Sequence, residues 1–374
     1  MRALVVMPTK GETSQRIPDD LRGRLVGFRP VSTALPRTSS APIAGLRVSG
    51  LAVLAAALLA GCGSASKTSS STTSTTQQAV TPQIQAALHV RARDFPPTQG
   101  QALQAIANQA KPGPLFGPAT SVFVPGVDRL GFGLIDRSNA FVYGPSVVYI
   151  ARNPSSPARG PYPAPLDLMV TPPQFQSRTV ANDPRAPKAI YAAQVPFPSP
   201  GNYAVLVLTR VNGALLGATT QQAVTRTSPI PAVGQRPPLV DTPTLASVHG
   251  DVAKIDTRIP PDDMHRVSFK NVVGKRPVAL LFATPALCTS RTCGPVTDIA
   301  VEMERQYGSQ MTFIHNEVYV DNMPLKGYRP QLKAFHLQTE PWLFTVNRQG
   351  RIAARLEGAF GVNAFRQAVQ AALR

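Results

Sequence analysis

The stretch PVALLFATPALCTSRTCGPVTDIAVEMERQYG, residues 277–308, carries three signals in succession. Its first seven residues, 277–283, form a continuous apolar run of the kind found in a strand buried on both faces. Cys288 and Cys293 follow, five positions apart. Beyond them Val296, Ile299, Ala300, Met303 and Tyr307 recur at helical spacing, with Pro295 suited to a first turn and Gly308 to a stop. Five steps along a regular helix turn the chain by about 500°, which would put the two sulfurs on different faces. The pair can close only if Thr289 to Thr292 form a loop between strand and helix. That loop delivers Cys293 to the free N–H groups of the first turn, whose positive end favours a thiolate. Arg291 adds a nearby positive charge, so Cys293 is the cysteine expected to have the lowered pKa.

The chain continues in the same texture. MTFIHNEVYV (311–320) reads as a second strand and RPQLKAFHL (329–337) as a short helix opened by Pro330. PWLFTVN and RIAARLE read as a hairpin around Arg348, Gln349 and Gly350. NAFRQAVQAAL (363–373) closes as an amphipathic helix with Asn363 as its expected N-cap. The order is strand, dithiol, helix, strand, helix, two strands, helix, which is the order of the thioredoxin fold.

Residues 265–374 resemble membrane-tethered, extracytoplasmic thioredoxin-like domains, and more narrowly actinobacterial lipoproteins in which a β-rich region precedes such a domain. LLFATPALC resembles the strand that delivers the dithiol, with Cys288 and Cys293 at the two cysteine positions. TEPWLFTVNRQGRI resembles the segment whose proline is cis and faces the dithiol, which makes Pro341 the candidate. The resemblance implies thiol-disulfide exchange on exported proteins through Cys288, Cys293 and Pro341. It implies no cofactor, and a membrane redox partner. Two departures stand against it: four residues separate the cysteines where thioredoxins have two, and Leu287 stands where an aromatic is common.

Three other readings compete. A disulfide that only staples the loop of a cell-surface binding scaffold accounts for the cysteines equally well. Copper delivery is another, because the strand period puts Phe313, His315, Glu317 and Tyr319 on one face. Cys288, Cys293 and His315 are a donor set that suits Cu(I), as in Sco-type copper chaperones, although those space their ligands differently. His336 falls on an expected helix. Peroxide reduction is suggested by TPALC alone, without a proline-threonine-cysteine motif.

The third cysteine, Cys62, ends GLAVLAAALLAGC. The apolar run there is about 12 residues, short of the roughly 20 a membrane-spanning helix needs, and Arg47 precedes it. Leu59-Ala60-Gly61-Cys62 resembles the bacterial lipobox, so residues 1–61 are expected to be an extension and lipoprotein signal peptide, and Cys62 the lipidated residue. The expected place is the extracytoplasmic face of the cell membrane, where a nearby cysteine pair can form a disulfide.

The remainder divides by composition. Residues 62–82 are Ser/Thr-rich and read as a tether. Residues 83–113 read as a short helical segment, built around QALQAIANQA (101–110). Over 114–226, runs such as TSVFVPG, RLGFGLIDR, SVVYIAR, AIYAAQVPF, NYAVLVLTRV and ALLGATTQQAV alternate with turns. They predict an all-β, immunoglobulin-like sandwich with no catalytic constellation of its own. Residues 227–250 are a proline-rich linker to a thioredoxin-like α/β domain over 251–374.

Net charge is +18, and residues 1–61 hold 8 Lys+Arg and 3 Asp+Glu, leaving +13 for the rest. The basic residues are scattered, without a cluster or aromatic interleaving, which argues against nucleic acid as a partner and for an anionic lipid or wall surface.

Overall fold

The computed structural model describes residues 80–374. Cys62, the expected signal peptide (1–61) and nearly all of the expected tether (62–82) lie outside the described residues. Among the described residues no helix is long and apolar enough to cross a membrane.

The β-rich region is built from nine strands: β1 (Lys111–Pro112), β2 (Leu115–Pro118), β3 (Gly126–Ile135), β4 (Ser146–Ala151), β5 (Arg159–Pro163), β6 (Leu166–Leu168), β7 (Ala189–Phe197), β8 (Gly201–Val211) and β9 (Ala214–Val224). They form two sheets, in the orders β1-β9-β8-β4-β5 and β2-β3-β7-β6. All pairings are antiparallel except β1 with β9. Alternate residues of β3 (Leu130, Phe132, Leu134) meet alternate residues of β8 (Tyr203, Val205, Val207) in one core between the sheets.

The unbroken apolar run in β8 has a second cause. Its other face, Ala204, Leu206 and Leu208, packs beneath Phe95, Leu103 and Ile106. Of the two helices before the sheets, α2 (Leu103–Ala107) therefore supplies part of the cover, while α1 (Pro82–Ala87) adds Ile84 and Ala87 to the core between the sheets. TSVFVPG, read as a strand, is instead loop from Ala119 to Pro125. Phe123 is nonetheless buried in the core, so its apolar run marks burial without pairing. β5 escaped the sequence pattern because it is proline-rich; it sits at a sheet edge, where a missing N–H is tolerated.

A short helix, α3 (Arg178–Ala181), lies between β6 and β7, and another, α4 (Phe269–Val272), leads into the second half. There β10 (Val278–Phe282), α5 (Cys293–Tyr307), β11 (Thr312–Asn316), α6 (Pro330–Ala334), β12 (Trp342–Val346), β13 (Ile352–Glu357) and α7 (Val362–Leu373) follow in the expected order. The sheet order is β11-β10-β12-β13, with β10 parallel to β11 and antiparallel to β12. This is a thioredoxin-like arrangement. β10 is buried on both faces: Ala279 and Leu281 pack with α5 and α7, while Val278, Leu280 and Phe282 pack with Phe269, Leu332 and Phe335.

The two halves share a core and polar contacts, since Met169 and Ile190 join the cluster under α5 and α7. The linker lies against the sheet: Ile230 and Val240 are buried, and Gly234 and Gln235 exchange backbone hydrogen bonds with Ile352. Asn363 is not the N-cap of α7; Gly361 is. The free N–H groups go instead to Asp167 from the β-rich region, which accepts from Gly361 (2.9 Å), Asn363 (3.0 Å) and Ala364 (3.1 Å). A carboxylate at a helix start gains from the dipole as well.

Candidate functional site

The dithiol lies between the end of β10 and the start of α5. Cys288 N–H donates to Thr284 O (3.1 Å), and Arg291 N–H closes a turn on Cys288 O (3.2 Å). Arg291 takes a left-handed φ of 60°, and Thr292 then caps the helix. The four intervening residues are thus used up by a turn, and Cys293 becomes the first residue of α5.

This geometry reverses the expected roles of the thiols. Cys293 points into the core beside Ala283, Val296 and Phe360, at 0% exposure. Burial pushes its pKa up, and the neighbouring Cys288 sulfur pushes it further. Cys288 is part-exposed, and its pKa is pushed down to about 5. The largest cause is a hydrogen bond from the Cys293 thiol, followed by the Ser290 hydroxyl at 3.1 Å and the backbone N–H groups of Cys293 and Thr292. The helix start does favour a thiolate, but the sulfur placed over it belongs to Cys288. Arg291 does not serve the dithiol; its guanidinium pairs with Asp183 at 3.4 Å. Both cysteines are free thiols.

The Glu340–Pro341 peptide bond is cis, and Pro341 is buried at the entry to β12. Pro341 O accepts from Gly358 N–H at 2.8 Å. At Gly358, with φ +67°, a Cβ would fall 1.5 Å from Ala119 O, so only glycine lets the β-rich region approach this loop. Glu340 precedes the proline. Burial raises its pKa, and so does the charge of Cys288; its own charge in turn raises Cys293. Tyr319 lies within electrostatic range of both sulfurs, and its ring is 5.6 Å from that of Tyr328. Sequence reading missed Ser290, Glu340 and Tyr328: the first two lie inside stretches read for other residues, and Tyr328 belongs to no motif or period.

The β-rich region reaches the site as well. Gly294 is packed so closely on Val180 of α3 that a Cβ would lie 2.8 Å from its methyl group. Asp298 of α5 accepts from Ser177 N–H (2.9 Å) and pairs with Arg258 (2.9 Å). The dithiol helix is therefore anchored from outside its own domain.

The copper set is not assembled. β11 stops at Asn316, so the strand period does not carry Glu317 or Tyr319 to the face of His315. His315 is fully buried, with Nδ1 2.8 Å from Asp262 Oδ2 and Nε2 3.1 Å from Ala283 O. Glu317 accepts from Thr257 N–H and Oγ1 at 2.7 and 2.6 Å. Among the described residues, the group of metal-type side chains containing His315 is Asp256, Asp262, His265 and His315, without either cysteine. His336 follows α6 with a left-handed φ of 57°, outside the helix expected to hold it.

No protein-family model matches the chain, and no curated protein matches it. Solved structures similar to it include thiol:disulfide interchange protein DsbE from Chlorobium tepidum, at 14% identity and TM-score 0.28, covering 38% of this chain and 99% of that one. A thioredoxin-family thiol:disulfide interchange protein from Chlorobium tepidum TLS is similar at 15% identity and TM-score 0.28, with the same coverage. The MTB dsbF structure is similar at 15% identity and TM-score 0.24, covering 29% of this chain and 87% of that one.

Proposed function

We propose that this chain is a lipid-anchored, extracytoplasmic thiol-disulfide exchange protein in which Cys288 attacks and Cys293 resolves. The observation that carries the reading is the asymmetry of the pair: a part-exposed sulfur whose pKa is lowered, next to a fully buried one whose pKa is raised. For reduction of a client disulfide, Cys288 thiolate attacks one client sulfur and forms a mixed disulfide. The other client sulfur leaves as a thiolate and takes a proton from solvent. Cys293 then loses its proton and attacks Cys288 Sγ, forming the Cys288–Cys293 disulfide and releasing the second client thiol. Two electrons and two protons pass to the client; oxidation of a client dithiol is the same sequence reversed. A dithiol partner at the membrane returns the pair to its starting state.

In this reading an extended client segment lies along the cis-proline loop at Glu340 and Pro341; Glu340 is near enough for its charge to act on both sulfurs. The β-rich region is read as immunoglobulin-like, because β2-β3-β7-β6 opposite β9-β8-β4-β5 corresponds to strands A-B-E-D opposite G-F-C-C′. Its role in this reading is to brace the dithiol helix through Val180, Ser177 and Asp183. Membrane attachment is supported by the lipobox at Leu59–Cys62. Trapping tests the exchange: Cys293→Ala should accumulate a Cys288 mixed disulfide with glutathione or exported proteins. Cys288→Ala should accumulate none, and equal trapping by both variants would contradict the assignment.

A further inference from the structure

The segment before β10 holds a second cluster that exchange chemistry does not use. Asp256, Asp262, His265 and His315 are all buried, and one ligand-type atom from each lies within 4.8 Å of the others. His265 is 4% exposed, yet neither ring nitrogen has a hydrogen-bond partner. Its Nε2 stands 3.4 Å from Asp256 Oδ2 and 3.4 Å from Asp262 Oδ1. A buried imidazole with two bare nitrogens is costly unless something else engages it.

Each carboxylate is already oriented by backbone. Asp256 accepts from Arg258 N–H (2.7 Å) and Asp262 N–H (2.7 Å), and Asp262 Oδ1 accepts from Met264 N–H (2.9 Å). Among the described residues no lysine or arginine pairs with them: the Arg258 guanidinium turns away to Asp298, Pro260 O and Phe175 O. Glu317 and Glu304 add further negative charge nearby. His315 has oxygens on both sides, Ala283 O at Nε2 and Asp262 Oδ2 at Nδ1. With an acceptor oxygen at each nitrogen the ion-free ring carries both protons; an entering cation would displace the Nδ1 proton while Nε2–H keeps its bond to the backbone carbonyl, the outer-shell arrangement usual for a ligating histidine.

From these contacts we infer a buried site for one divalent cation of the zinc class, held by Asp256, Asp262, His265 Nε2 and His315 Nδ1. Zinc bonds of about 2.0–2.2 Å in a tetrahedron put neighbouring ligand atoms about 3.3–3.5 Å apart. Both His265 separations fall in that range, and both are too long for good hydrogen bonds. The His315–Asp262 contact must open by about half an ångström. Two carboxylates, two neutral imidazoles and a dication also leave the cluster itself without net charge. The ion would pin residues 256–265 against the dithiol loop, because Ala283 is held by His315 and Ala286 N–H donates to Thr257 Oγ1 at 3.1 Å.

Burial means the ion enters as the chain folds, so the test is refolding of the full chain with one equivalent of Zn²⁺, and separately of Co²⁺. The expected result is one bound ion per chain. Cobalt should show tetrahedral visible bands without the thiolate charge-transfer band that Cys288 or Cys293 would produce. His265→Gln should weaken binding by at least about 100-fold, the upper end of what loss of an outer-shell partner costs. Asp263→Asn, at an exposed neighbour, should bind as the parent does. Natively folded parent without a bound ion, a thiolate band, or unchanged affinity in folded His265→Gln would each overturn the site. Should His265→Gln not fold, the stoichiometry and cobalt spectrum of the parent chain decide.

Discussion

Cys288 is part-exposed beside a fully buried Cys293, and that neighbour is the largest cause of the lowered Cys288 pKa, so one cysteine makes the other the better thiolate. The four-residue spacing serves this arrangement. A turn closing on Cys288 O lifts that sulfur over the N–H groups of Thr292 and Cys293, and the helix starts beneath it.

The first prediction concerns the hydrogen bond between the two sulfurs. Cys293→Ala removes the largest cause of the lowered Cys288 pKa, and a hydrogen bond to a charged group is worth about 1.5–3 kcal/mol. At about 1.4 kcal/mol per unit, the Cys288 pKa should rise by roughly 1–2 units. The pH dependence of iodoacetamide alkylation, compared between parent and variant, reads it directly; an unchanged profile would refute the assigned cause.

A second prediction links this titration to stability. The reduced protein holds Cys288 deprotonated from about pH 5 upward, whereas the unfolded chain keeps its proton until about 9.0. The unfolded state binds more protons between those values, so reduced-state stability from this group rises with pH across the window. It is complete above about 9 and lost as pH falls through about 5. Denaturant unfolding of reduced parent and Cys288→Ala at pH 5, 7 and 9 should show a widening difference. A constant difference would contradict it.

Asp167 supplies the third. It caps α7 from 194 residues away and accepts three backbone N–H groups. Asp167→Ala should cost about 1–2 kcal/mol, the upper part of the usual capping range, because these donors are left inside the protein. Asp167→Asn keeps one acceptor oxygen and should cost less; equal losses in urea unfolding would argue against capping.

Anchoring gives the fourth. Cys62→Ala should move the protein from the membrane fraction to the medium, as judged by fractionation. Retention in the membrane fraction would remove the lipobox reading.

Much of the second half was legible because its signals are local. The run 277–283 has to be a strand buried on both sides, and the spacing from Val296 to Tyr307 has to be a helix. What escaped was whatever depends on direction or distance. Spacing placed the helix start near both sulfurs but could not show that Cys293 turns inward, so the pKa assignment went to the wrong thiol. The α7 cap was sought in Asn363 because Asp167 lies in another region of the chain. His315 was matched to the cysteines, while its actual neighbours Asp256, Asp262 and His265 sit in a segment with no regular period. The linker looked free by composition; only the folded sheet reveals that Ile230 and Val240 dock on it.

The central claim is that Cys288 and Cys293 form a working redox pair, and a glutathione redox titration of the native full chain tests it most directly. Structural disulfides typically have potentials below about −300 mV, whereas a pair with a stabilised thiolate is easier to reduce. Stepwise GSH/GSSG buffers, acid quench and mass analysis of alkylated thiols should show Cys288 and Cys293 interconverting fully between dithiol and disulfide in folded protein, with a potential above about −300 mV. A disulfide that stays closed in every such buffer until the protein is denatured would contradict the account.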